Sequence, residues 1–410
     1  MMHHNSRFAG CLAPMLAVLC LGGMAAHVRA QNKDLATLVE GNNQFALDLY
    51  QQLGNKSGNK FFSPYSISTA LGMTYGGAKG QTAQEMAHTL HFALENEQLH
   101  PAFGALIRQI QGTDKKRDFQ LTTANSLWGH KDFKLNANFL RITQTDYQAG
   151  FHLVDFVNDA EGARQKINGW VEDKTNNKIK ELLQPKTLTL NTRLVLINAI
   201  YFKGTWLEQF SKKETRLEEF TIPSSLAVKV PTMNKTFFVK YLGNEDFQLV
   251  QLPYKDNEVS MVIILPQKKN GLAEVEKKLS PKMLQQGVAE AKMTNVHISL
   301  PKFKLTEEFN LGKDLTALGM KEAFLPEVAD FTGMGGSLFI GQVIHKAFVD
   351  VHEEGTEAAG ATAVIMDLPA APPPPLHVPF KADHPFLFLV RHNVTGSILF
   401  MGRVHDPRGN

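Results

Sequence analysis

The chain has 410 residues, of which 43% are hydrophobic and 20% charged, and its formal net charge is +3. So near a neutral balance, it lacks the strongly basic surface that nucleic-acid or anionic-membrane binding requires, while its length allows a large buried core. Both of its cysteines, Cys11 and Cys20, fall at the amino-terminal end, which excludes disulfide frameworks, thiol catalysis and cysteine-zinc sites from everything after them.

Residues 1–30 read as a secretory leader. Arg7 precedes an apolar stretch, Leu12–Ala26, and Val28-Arg29-Ala30 offers a small-residue cleavage site before Gln31. The stretch is too short for a comfortable transmembrane helix. A lipid anchor on Cys20 is disfavoured because Leu19 stands where a small residue is needed. The expected division is therefore a leader, 1–30, and one domain, 31–410, with no membrane association once the leader is gone. Loss of its two arginines lowers the net charge from +3 to +1.

Helical periodicity covers Asn32–Leu53, Gln81–Leu90, Glu97–Gly112 and Asn136–Tyr147. Phe61–Ser68 (FFSPYSIS) starts another helix, with Ser63 as a natural cap and Pro64 at the first helical position. Leu121–Trp128 alternates as a strand does, and Ala160–Thr175 is a longer amphipathic helix. Thr192–Gly204 (TRLVLINAIYFKG) is a continuous β-branched run, the pattern of a strand buried on both faces. Asn198 is the odd polar residue within it and needs hydrogen-bond partners.

Short strands follow at Val228–Val230, Phe237–Leu242, Phe247–Leu252 and Val259–Leu265, then helical segments at Leu272–Leu279 and Lys282–Ala291. Asn295–Leu305 alternates as one strand, and Phe309–Leu318 is helical. Val343–Val351 and the closing runs Phe386–Val390 and Ile398–Arg403 are strands again. Strands and helices intermix without a regular βαβ alternation, so the class is α+β.

Enzyme signatures are missing: there is no G-x-S-x-G elbow, Walker loop or H-E-x-x-H motif. No catalytic residue, cofactor or metal site is expected. Lys115-Lys116-Arg117 is flanked by Asp114 and Asp118 and reads as a solvated turn. His345, alone in an apolar run, reads as a satisfied core residue.

The unusual stretch is Glu353–Leu376 (EEGTEAAGATAVIMDLPAAPPPPL), about two dozen residues between two strands, a length that is usually functional or disordered. Thr356, Ala358, Gly360 and Thr362 occupy alternate positions and are all small, so one face could enter a sheet without steric resistance. Glu353–Thr362 (EEGTEAAGAT) resembles the hinge of the reactive-centre loop of inhibitory serpins. The resemblance runs along nearly the whole chain, through Phe61–Ser68, Ala160–Thr175, Thr192–Trp206 and the closing strands.

That resemblance implies a serpin fold, a single domain of about nine helices around three mixed β-sheets, with an exposed reactive-centre loop at about 353–379. It implies a hinge made of Glu353, Gly355, Thr356, Glu357, Ala358, Ala359, Gly360, Ala361 and Thr362. It matches Ser63, Ser66, Asn198 and His345 to the "shutter" where the central sheet parts, and Trp206, Lys302 and Glu353 to the "breach" at its top. The implied activity is suicide inhibition: a target serine protease cuts the loop, and the cut loop enters the sheet before the covalent complex can be hydrolysed. Counting from Gly355 puts the scissile bond at Pro369–Ala370; a shift by one gives Ala370–Ala371, which an elastase-like enzyme accepts. The expected protein is a secreted monomer, extracellular or periplasmic, whose partner is that protease. The alternative is a non-inhibitory binding or carrier protein, supported by the proline at the counted position.

Overall fold

The computed structural model describes residues 14–54, 56–112, 117–336, 338–356 and 376–409, with side chains from Ala30 onward. In chain order, α1 (Pro14–Gly54) is followed by β1 (Lys60–Phe62), α2 (Pro64–Tyr75), α3 (Gly80–Leu90), α4 (Asn96–Gln111), β2 (Phe119–His130), α5 (Ala137–Tyr147), β3 (Gly150–Val154), α6 (Ala160–Lys174) and β4 (Leu194–Thr205). The second half runs β5 (Arg216–Thr221), β6 (Ala227–Gly243), β7 (Phe247–Pro253), β8 (Val259–Pro266), α7 (Leu272–Lys278), α8 (Pro281–Glu290), β9 (Lys292–Pro301), β10 (Phe303–Asn310) and α9 (Gly312–Ala317). It closes with β11 (Gln342–His352), β12 (Gly355–Thr356), β13 (Val378–Lys381), β14 (Phe386–His392) and β15 (Ile398–Val404). Helix α1 runs unbroken across Gln31, the residue expected to follow the leader. Among the described residues no helix is long and apolar enough to cross a membrane.

The strands form two ladders. A six-stranded sheet has the order β10-β11-β12-β4-β2-β3, with β11 and β4 also paired directly. A nine-stranded sheet has the order β1-β15-β14-β8-β7-β6-β9-β13, with β5 on β6. The second and third of the three expected sheets are thus joined: β6 pairs β5 near its start, β7 near its end, and β9 along most of its length.

Residues of β4 alternate between two cores. Leu194, Leu196, Ile200 and Phe202 join the main core, while Val195, Ile197 and Ala199 pack toward Ile167 and Val171 of α6. This is why the run is apolar at nearly every position: both faces of the strand are covered. Asn198 shares the parity of the main-core residues, which directs its amide toward the start of α2. There Ser63 caps the helix by accepting from the Ser66 amide at 3.2 Å, and Pro64 follows it where no backbone donor is needed.

Three boundaries differ from the sequence pattern. Phe309, expected to open a helix, still belongs to β10 opposite His345, and α9 begins only at Gly312. The single strand expected at Asn295–Leu305 is split at Lys302, whose amide bonds to Pro231 O (2.9 Å) as the chain passes from one sheet to the other. Conversely, the two strands expected at Val228–Val230 and Phe237–Leu242 are one, because the mostly polar residues between them, Thr232–Thr236, pair with β9 without a break.

Candidate functional site

Strands β11 and β4 run parallel and pair from Gln342↔Val195 to Phe348↔Tyr201. Above that point they part, and β12 occupies the gap antiparallel to both. Thr356 lies opposite Val351 on one side and Gly204 on the other; Gly355 lies opposite His352 and Thr205. The chain reaches this position by a tight reversal, with Glu353-Glu354 as the two turn residues after β11. The start of the predicted hinge is therefore already a strand of the central sheet.

Two glycines permit this. Gly355 has φ +151°, and a Cβ there would stand 2.0 Å from Gly204 O and 2.8 Å from Thr205 Cα. A Cβ on Gly204 would meet the Tyr254 ring at 2.7 Å. Thr356 is wholly buried, and its hydroxyl lies 2.7 Å from the Tyr254 hydroxyl. Glu357, Ala358, Ala359, Gly360, Ala361 and Thr362 of the predicted hinge lie outside the described residues, as do Pro369, Ala370 and Ala371.

Around the turn, the structure brings Trp206, Lys302 and Glu353 together. The Glu353 carboxylate, 4% exposed, accepts from Lys302 Nζ at 2.9 and 3.2 Å and from Thr215 Oγ1 at 2.8 Å. Burial alone would raise its pKa, but the Lys302 and Thr215 bonds and a backbone amide outweigh burial and hold it below the usual glutamate value. Trp206 donates its indole N–H to His352 O (3.0 Å) and its amide to Glu354 O (3.0 Å). Trp206 also stacks on Tyr254, with ring centroids 4.5 Å apart.

Lower in the same seam, His345 of β11 and Asn198 of β4 face each other across the parallel pair. Nε2 of His345 accepts the Ser63 amide at 3.0 Å, so Nδ1 carries the proton and donates to Asn198 Oδ1. The Asn198 amide group donates to Ser66 Oγ (2.5 Å) and Asn125 Oδ1 (2.6 Å). The Ser63 hydroxyl donates to Leu399 O at 2.6 Å. Complete burial lowers the His345 pKa to about 3, so the clasp holds a neutral imidazole at ordinary pH.

Sequence reasoning missed Asn125, Thr215 and Tyr254. Asn125 had a signal, being an amide within an alternating strand, whereas Tyr254 and Thr215 sit in stretches without apolar period. Arg117, read as part of a solvated turn, is instead partly buried: it pairs with Glu258 at 2.9 Å and covers the Phe119 ring. Lys115 and Lys116 are outside the described residues. Two Asn-x-Thr tripeptides are also engaged. Asn234 is 4% exposed, donates to Glu218 Oε1 (2.8 Å) and Thr232 O (3.2 Å), and accepts from Ser299 Oγ (2.6 Å). Asn393 donates to Asn257 O (2.7 Å) and Ser260 Oγ (2.8 Å).

Comparison with known proteins gives the same outline. The family model for "Serpin (serine protease inhibitor)" matches residues 40–407. A leukocyte elastase inhibitor of Xenopus laevis is 42% identical over 373 residues, covering 88% of this chain and 97% of its own. Serpin B6 of Macaca fascicularis is 42% identical over 379 residues, covering 90% and 99%. Among solved structures, the thermophilic serpin tengpin in its native state superposes with a TM-score of 0.82 at 30% identity, covering 90% of this chain and 94% of its own. With a family model spanning nearly the whole chain and a strand-lined gap that already accepts the start of the loop, the chain belongs to the serpin family.

Proposed function

We propose that this serpin is a suicide-substrate inhibitor of serine proteases and has no catalytic activity of its own. The observation that carries the reading is β12: Gly355 and Thr356 already thread the gap between β11 and β4, antiparallel to both. In the reaction the protease serine oxygen attacks the carbonyl carbon of Pro369 or Ala370. The peptide bond to the next residue breaks, its nitrogen takes a proton, and an ester joins loop and protease. Freed from its far anchorage at β13, the loop from Glu357 onward can follow Thr356 into the sheet.

Continuing the register of Thr356 rung by rung brings Thr362 opposite His345 on one side and Asn198 on the other. Entry must therefore open the His345–Asn198 clasp, and a small hydroxyl residue arrives where it opens. The travelling loop drags the attached protease along and distorts its active site, so the ester is not hydrolysed.

The target we favour is an elastase-like protease. Ala370–Ala371 suits a small-residue preference, and relatives of this chain are named for leukocyte elastase. Secretion is proposed on the strength of the leader, Arg7 followed by Leu12–Ala26 and Val28-Arg29-Ala30. The test is incubation with elastase-, trypsin- and chymotrypsin-type proteases, followed by a denaturing gel and mass measurement of the released fragment. A band at the summed mass supports the reading and the fragment fixes the bond. Cleavage without any such band across all three would overturn it in favour of a non-inhibitory carrier.

A further inference from the structure

Two paired residues make a very short strand, and an isolated pair of rungs has little holding it against fraying. The turn before it is anchored where Trp206 and Phe210 donate to Glu354 O and Glu353 O, which leaves Thr356, at the far end, as the residue that needs a further hold. The large sheet supplies a candidate at Tyr254, between β7 and β8.

Tyr254 is fixed on every side. It is fully buried, stacked on Trp206 at an interplanar angle of 14°, and meets the Phe202 ring edge-on at 5.0 Å. Its backbone bridges Trp206, and its amide donates to Val259 O at 3.0 Å. The absent side chain of Gly204, the residue paired with Thr356, leaves the space its ring fills. Among the described residues, its hydroxyl has one partner, Oγ1 of Thr356. Burial raises the phenol pKa, so the hydroxyl keeps its proton at any working pH.

We propose that Tyr254 is a positioning residue that latches the first rung of the loop into the sheet of the uncleaved chain, so that insertion starts from a seeded gap. The consequence for inhibition rests on the suicide-inhibitor reading above; the latch itself does not. A buried hydroxyl left without its partner is costly, whereas replacing both hydroxyls by apolar groups of similar shape is nearly neutral. The single variants Tyr254→Phe and Thr356→Val should therefore each behave worse than the double variant. A merely structural tyrosine would give no such rescue.

The experiment uses the full chain in four forms: wild type, Tyr254→Phe, Thr356→Val and the double variant. Hydrogen exchange of the peptide spanning Val351–Thr356 in the uncleaved protein reads the latch, and moles of serpin consumed per mole of protease trapped read the race. Each single variant is expected to lose about tenfold protection, the effect of one unpaired buried hydroxyl, and to consume severalfold more serpin. The double variant should return to within about twofold of wild type on both measures. Unchanged protection in Tyr254→Phe, or a double variant as impaired as its parents combined, would overturn the latch. Should the wild type trap no protease, the inhibitor reading falls instead, and exchange alone decides whether Tyr254 holds the rung.

Discussion

Replacing Thr356 by arginine tests the central idea most directly, because the native side chain is 0% exposed and sits between two strands. An arginine there has two options. Kept in the sheet, its guanidinium is buried with no carboxylate among the residues paired with it, at a cost of several kcal/mol. Expelled, it forfeits the few ladder bonds of β12 and the Tyr254 contact, each worth about 1 kcal/mol net. Expulsion is the comparable or cheaper course, so the uncleaved chain should still fold. Insertion after cleavage has no such escape, since position 356 must enter before anything behind it. A barrier raised by about 4 kcal/mol slows that step roughly 1000-fold, at 1.36 kcal/mol per tenfold. If the wild type inserts even about tenfold faster than its ester hydrolyses, the variant hydrolyses about 100 times for each complex trapped. Titration of residual protease activity together with a denaturing gel measures this ratio, and Thr356→Ser, which keeps the hydroxyl, should stay within about twofold of wild type. A stable covalent complex formed by Thr356→Arg at near-equimolar stoichiometry would refute the reasoning.

Other expectations follow from the same geometry. Loop cleavage should raise the thermal midpoint clearly, and a structure of the cut form should show Thr362 between His345 and Asn198; intact and cut forms melting together would contradict both. Lys302→Ala leaves the nearly buried Glu353 with Thr215 as its one side-chain partner among the described residues and should destabilise the uncleaved form by about 1–3 kcal/mol in urea unfolding; an unchanged midpoint would count against a structural role for the pair. Burial lowers the pKa of His100 and His392 to about 4 and of His345 to about 3, from an ordinary 6.5. The unfolded chain therefore binds more protons below pH 6.5, and stability should fall as the pH drops from 6.5 toward 4, by on the order of 1 kcal/mol per pH unit for each histidine. Urea midpoints equal at pH 7.5 and pH 5 would refute this.

The long buried elements were legible in the chain itself. The β4 run announces a strand with two covered faces, and Asn198 within it announces a polar network. What stayed hidden was short or distant. β1 and β12 are three and two residues long, too brief for a period to show. β5 (RLEEFT) is largely exposed and charged, and nothing in its pattern distinguishes it from a loop. The Thr356–Tyr254 contact joins positions 102 residues apart and the Glu353–Thr215 bond spans 138, separations across which no local pattern reaches. Family resemblance groups His345 with Ser63 and Asn198; residue chemistry alone gives a core histidine with unnamed partners.

The burial of Asn234 bears on how the protein is made. Asn-Lys-Thr is a tripeptide that eukaryotic secretory cells modify while the chain is still emerging. An oligosaccharide on that nitrogen would replace the donor that Glu218 and Thr232 share, and would wedge β6 away from β5 just where Ser299 closes over it. Yeast or mammalian expression thus risks a population that never assembles this corner, whereas a bacterial host, or a Thr236→Ala change that abolishes the acceptor, sidesteps the conflict.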